Sequence, residues 1–258
     1  MPGWTTTYNG WSHLMKPVTL HFEGHGTLAA SPVSAGTAGR SAFSGPSPSQ
    51  SGRWTKAPPP GTSVTYTTPP LTQDVDIFGS GSVNLWLSST ATDSDIEVII
   101  SEVRPDGTEQ FVQAGWLNLA ERKLAPAGGG PLRSSVLRPV QSHTAASYQR
   151  LKPGTLAYAR VELFPFEHVF RTGSSIRITI DSASGDVEPT GYWGVTSPAD
   201  HFTDTVYASP ARPSAVVLGL IPDATARRAL PSCADIAGEP CRPNATPVPP
   251  GRLTIPGR

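Results

Sequence analysis

Apolar residues return at every second position through much of this chain. Val18, Leu20 and Phe22 alternate with polar neighbours, the pattern of a half-buried strand. Thr27 and Leu28 follow the turn Gly24-His25-Gly26. Val64 and Tyr66 begin a second series, broken at Pro69-Pro70. Further strands are predicted at 75–78, 83–87 and 95–103, where Ile96, Val98, Ile100 and Val103 alternate imperfectly with polar residues. Pro105-Asp106-Gly107 is turn chemistry, since Pro fixes φ and Gly supplies a left-handed position. Residues 109–119 form the return strand of that hairpin, and strands resume at 156–163, 174–181 and 215–221. About eight short strands with almost no helical period predict an antiparallel β-sandwich or barrel. Long connections between some of them favour a jelly roll.

Three stretches fall outside this pattern. Residues 30–61 are dominated by Ser, Gly, Pro and Ala, and predict a surface excursion or linker with Phe43 and Trp54 as anchors. Residues 125–150 hold Gly128-Gly129-Gly130 and little apolar content, and predict a loop. Residues 223–258 read as an unstructured Pro-rich tail, whose removal is expected to cost little.

Composition agrees with an all-β chain. Its 258 residues include 28 Pro and 25 Gly, both unfavourable inside helices. Lys plus Arg is 20 and Asp plus Glu is 20, so no net basic field attracts nucleic acid or an anionic membrane. No apolar run approaches the length of a membrane span. The N-terminus has neither the basic segment nor the apolar run of a signal peptide, so a leader for export would lie outside this chain. Cys233 and Cys241 lie close together in the tail. A disulfide there would suggest an oxidising, extracytoplasmic compartment; two unpaired thiols are the other reading.

Candidate chemistry is sparse. Gly79-Ser80-Gly81-Ser82 lacks the Gly-x-Ser-x-Gly spacing and the following helix of a nucleophile elbow. His21 and His25 could approach one metal, but no Cys or carboxylate pattern completes a ligand set. No cofactor motif is present. Asp93, Asp95 and Asp106 raise the question of calcium or of paired catalytic carboxylates. Asp95 runs straight into Ile96, unlike an EF-hand loop, and Asp93 and Asp95 share one face of a strand start. All three read as turn and capping residues.

The ordered motifs are more specific. They run Tyr66-Thr67-Thr68-Pro69-Pro70-Leu71, Asp74-Val75, a Gly at 79 or 81, then Ser88-Ser89-x-Ala91-x-Asp93-x-Asp95. Val103-x-Pro105-Asp106-Gly107, Gly115 and Phe170-x-x-Gly173-x-x-Ile176-Arg177-Ile178 follow. Asp204-Thr205-Val206-Tyr207, Arg212-Pro213-Ser214 and Val216-Val217-Leu218 complete the set. From about Ser63 to Ile221 this resembles the C-terminal, non-catalytic domain of the cocaine esterase and Xaa-Pro dipeptidyl-peptidase family of serine hydrolases. The resemblance implies a jelly-roll, galactose-binding-like β-sandwich over 62–222, packed on an α/β-hydrolase domain that carries the catalytic triad. It implies that 1–29 is the remnant of the link from that domain, through Phe22-Glu23-Gly24-His25-Gly26-Thr27-Leu28. No catalytic residue carries over, and the chain alone is expected to be inactive. Ser174 stands where the family usually has His, and the Cys-containing tail is extra. A free-standing carbohydrate- or ligand-binding module is the alternative, with Trp116, Tyr192 and Trp193 as candidate contacts. Trp4, Tyr8, Trp11, Leu14 and Met15 suggest docking to the hydrolase domain or self-association.

Overall fold

The computed structural model describes residues 15–47, 54, 56–128, 130–182, 201–222, 226, 229–233 and 239–255. Among the described residues, twelve strands form two antiparallel sheets packed face to face. The first sheet contains β1 (Lys16–Phe22), β2 (Leu28–Ala29), β3 (Gly39–Gly45), β5 (Val75–Ser89), β8 (Ala157–Phe170), β10 (Phe202–Ala208) and β11 (Ala215–Ile221). The second runs β12 (Cys241–Pro243), β7 (Thr108–Asn118), β6 (Asp95–Val103), β9 (Ser175–Asp181), β4 (Ser63–Thr67). This is a jelly-roll-like β-sandwich.

The period-2 pattern explains the layering. Ile96, Val98 and Ile100 of β6 and Ile176, Ile178 and Ile180 of β9 point into the core, fully or almost fully buried. They meet Val83, Leu85 and Leu87 of β5 and Val161 and Leu163 of β8. Phe22 of the first sheet stacks on Tyr66 of the second, ring centroids 4.1 Å apart. That contact joins the layers beside a backbone bond from Thr67 N–H to the Gly26 carbonyl.

Three elements differ from the expectations. The run 75–89 is one strand, not two. Gly79, at φ 87°, makes a β-bulge that shifts the β5–β8 register between Gly79 and Gly81 and lets the strand continue. The stretch 30–61 is no plain linker, because β3 pairs along β10 from Gly39↔Ala208 to Gly45↔Phe202. Only Phe43 and Gly45 of that strand are buried, so its small polar residues give no alternating apolar signal.

Residues 241–255 of the tail are built into the body. β12 pairs with β7, Asn244 N–H donates to the Gly107 carbonyl, and Leu253 bridges Leu71. Ile255 is buried in the core. Alternation could not reveal this segment, because it lies along the sandwich through isolated bonds and one three-residue strand.

Gly115 has a packing role. A Cβ added there would overlap the Glu162 carbonyl oxygen, so β7 and β8 cross with backbone against backbone.

Candidate functional site

The outer face of the second sheet carries a buried polar network. Glu109 on β7 is its centre, and burial denies its carboxylate water. Its Oε1 accepts from Ser101 Oγ at 2.8 Å and faces Arg177 Nη1 at 3.3 Å. Its Oε2 accepts from Arg242 Nε at 3.0 Å. Arg177, on β9, also donates to Thr67 Oγ1, Asn244 Oδ1 and the Thr246 carbonyl, at 2.7–2.8 Å. Arg242 lies 3.6 Å from the Trp54 ring centroid and donates to the Lys56 carbonyl. Trp54 Nε1 in turn donates to the Glu109 carbonyl. The network therefore ties Arg242, Asn244 and Thr246 of the tail, together with Trp54 and Lys56, to the sheet.

A second cluster lies at the same end of β7, where Glu102 is the register partner of Gln110, next to Glu109. His168 Nε2 is 3.0 Å from Glu102 Oε2, and Nδ1 is 3.3 Å from Glu239 Oε2. Burial alone would lower the His168 pKa, but the bonds and charges of Glu102 and Glu239 push it up to about 9. Burial raises Glu102 in turn, and His168 with the Arg171 N–H more than reverses that, so Glu102 ends below its ordinary value. His168 is thus an imidazolium with both nitrogens committed, which leaves no lone pair for a general base. Gln110 links Glu239 to Arg104, and Arg104 donates to the Pro231 carbonyl at 2.8 Å. Cys233 and Cys241 form a disulfide next to these contacts, closing the loop that holds Glu239.

The three sequence-singled acids fall at two places. Asp106 Oδ1 accepts from Thr108 N–H at 2.9 Å and Thr108 Oγ1 at 2.7 Å across the β6–β7 turn. These bonds, led by the hydroxyl, lower its pKa. Asp93 Oδ1 accepts from the Ser94 N–H at 2.9 Å, and Tyr148 Oη reaches its Oδ2 at 3.3 Å. Asp95 Oδ1 accepts from Asn118 Nδ2 at 2.9 Å.

Beside Asp95 lies Asp204 of β10, fully buried, whose Oδ2 accepts from Ser94 Oγ at 2.6 Å. Burial raises Asp95 to about 6, with Asn118 opposing and Asp93 and Asp204 adding repulsion. Burial also raises Asp204 to about 6, against the hydroxyls of Ser89 and Ser94. Among the described residues, no group of three or more His, Cys, Asp or Glu side chains could hold a metal ion. Asp204 was visible in the sequence within the Asp-Thr-Val-Tyr motif, but nothing local linked it to Asp95.

The other candidates also have places. Ser80 and Ser82 lie inside β5, where Ser80 Oγ donates to Glu162 and Ser82 Oγ to the Val136 carbonyl. Neither sits on a strand-to-helix elbow. Trp116 packs on Phe164 with ring centroids 5.6 Å apart. Tyr192, Trp193 and residues 1–14 lie outside the described residues. His25 lines an open groove of about 580 Å³ with Thr27, Thr65 and the tail residues Thr246–Pro250. His21 sits on β1, and burial lowers its pKa.

A model of the X-Pro dipeptidyl-peptidase C-terminal non-catalytic domain matches residues 5–217. The chain belongs to this family. It is also 31% identical over 120 residues to proteins named as serine esterases in Mycobacterium bovis and Mycobacterium tuberculosis. Those matches cover 46% of this chain and 19% of each esterase. A CocE/NonD family hydrolase from Staphylococcus aureus superposes with TM-score 0.62 at 17% identity, over 81% of this chain and 37% of that one. An α-amino acid ester hydrolase superposes with TM-score 0.58 at 20% identity, over 79% and 36%. At such identities the structural likeness speaks for the fold alone. The chain therefore spans about a fifth of its esterase relatives and somewhat over a third of the solved hydrolases. The family is described as a C-terminal, non-catalytic domain.

Proposed function

We propose that this domain completes a cocaine-esterase or Xaa-Pro dipeptidyl-peptidase-like serine hydrolase by packing on its α/β-hydrolase domain and helping to shape the pocket entrance. Ester or dipeptide hydrolysis then belongs to the joined protein. The observation that carries the reading is the match to a non-catalytic domain over residues 5–217. The commitment of His168 to two carboxylates supports it, since the imidazolium cannot activate a serine. The test is the coding sequence beside this segment in its source genome. A continuous or adjacent frame with Gly-x-Ser-x-Gly, followed by an acid and a His, is expected. Neighbouring frames with no hydrolase sequence would refute the reading.

A second reading is a carbohydrate- or ligand-binding module. The groove beside His25 favours it, with Thr27 and Thr65 in its walls. The packing of Trp116 against Phe164 opposes it, since that ring is already in contact within the fold.

A further inference from the structure

The outer face of the first sheet has a composition that the accessory role does not by itself explain. Trp86 of β5 and Tyr158 of β8 are register partners, with ring centroids 5.0 Å apart. The Arg212 guanidinium lies 4.7 Å from the Trp86 ring centroid. Tyr158 is 43% exposed, Leu156 38% and Val136 51%. Val136 belongs to the same surface, because its carbonyl accepts from Ser82 Oγ and Arg160 Nη2. Single exposed apolar residues are ordinary, but a contiguous set with Trp, Tyr and Arg is the composition of binding hot spots.

Charge narrows the partner. On this face Arg160 donates to Asn84 Oδ1 and to the Ser135 and Val136 carbonyls, and Arg138 lies 3.7 Å from Glu162 Oε1. Arg212 adds a further cation beside Trp86. Of these groups three are arginines and one is a glutamate, so a second copy docked face to face would set like charges together, and the complement is an acidic face with an apolar centre. Chain path points to the same side. Met15 Sδ lies where a Cβ added at Gly79 or Gly219 would meet it, at 3.0 and 3.1 Å, and Leu137 also reaches Gly219. Met15, the residue immediately before β1, thus lies on this face of the sheet, next to Leu137.

We infer that the face centred on Trp86, Tyr158 and Arg212 is the docking surface for an acidic face of the α/β-hydrolase domain. This rests on the accessory-domain reading and adds the location and charge of the contact. The experiment mixes this chain with the hydrolase polypeptide encoded beside it, and reads hydroxyl-radical footprints together with affinity at two salt concentrations. Protection of Trp86, Tyr158 and Leu156 is expected, with binding that weakens as salt rises. Tyr158→Ser combined with Arg212→Glu should weaken binding at least tenfold while leaving the melting temperature unchanged. Arg133→Glu with Arg138→Glu, on exposed loop positions, supplies a second variant that leaves the strands alone and should also weaken binding. A complex that forms with these residues unprotected and both variants unaffected overturns the inference and leaves the accessory reading standing. Protection of the same residues by heparin but not by the hydrolase overturns it in favour of a polyanion site. A genuine hydrolase neighbour that does not bind at all overturns both.

Discussion

Glu109→Ala tests whether the buried network holds the tail to the sandwich. The change removes the shared acceptor of Arg177 and Arg242, which are 1% and 4% exposed. Arg177 keeps three other hydrogen bonds, to Thr67, Asn244 and Thr246, and so remains partly satisfied. Arg242 keeps the Lys56 carbonyl and the Trp54 ring but loses its only carboxylate contact in the network. Breaking a buried ion pair from one side costs roughly 3–5 kcal/mol, and the surviving bonds place this case near 3. For a chain of this size that is a fall in melting temperature of roughly 6–12 °C. Urea unfolding followed by tryptophan fluorescence measures it, and Trp54 reports from inside the network. Arg242→Ala in the Glu109→Ala background should cost clearly less than it does in the parent, because the pair is coupled. A loss below about 1 kcal/mol in the single variant, or strict additivity in the double, would refute the reasoning.

Other consequences follow from the same contacts. Truncation after Pro240 removes β12, the Asn244 and Thr246 acceptors of Arg177, and buried Ile255. Ile255 alone is worth about 1.5–3 kcal/mol, so a large fall in melting temperature is expected, and an unchanged value would show that the tail is not packed. His168, raised to about 9 from an ordinary 6.5, contributes stability that is complete below pH 6.5 and is lost as pH rises through 9. His168→Gln should remove that alkaline loss in melting curves taken from pH 6 to 10; identical slopes in variant and parent would exclude it. Asp204 has a folded pKa of about 6 against an ordinary 3.8. Its contribution is complete below pH 3.8 and is lost as pH rises through 6, at a cost of roughly 3 kcal/mol above that. Asp204→Asn should flatten stability over this window, as read by urea midpoints at pH 4, 5, 6 and 7, and an unaltered slope would count against it.

What the sequence disclosed depended on distance along the chain. Alternation located β1, β4, β6, β7, β9 and β11, because each presents two or more large apolar residues on one face. It passed over β3, where Phe43 is the one large buried residue, and β12, where a single buried side chain is an arginine. Gly79 looked like a break because a bulge and a turn use the same residue. Turn chemistry marked Asp106 as a turn residue, and the partner the structure gives it, Thr108, is only two residues away. The networks were different in kind. Arg177 meets Asn244 67 residues on, and Glu102 meets His168 66 residues on, so neither partner could be named before the sheets were assembled. The resemblance motifs did contain Arg177, Asp204 and Gly115, and the structure supplies a physical use for each: an ion-pair hub, a buried acid and a backbone crossing.

The central proposal is that this domain serves a hydrolase as an accessory and does not itself turn over substrate. The most direct measurement incubates the isolated chain with activated esters and X-Pro anilides, then with a fluorophosphonate that labels active serines. The account predicts background turnover and no labelled peptide. Turnover abolished by the phosphonate, with the label on a serine of this chain, would contradict it.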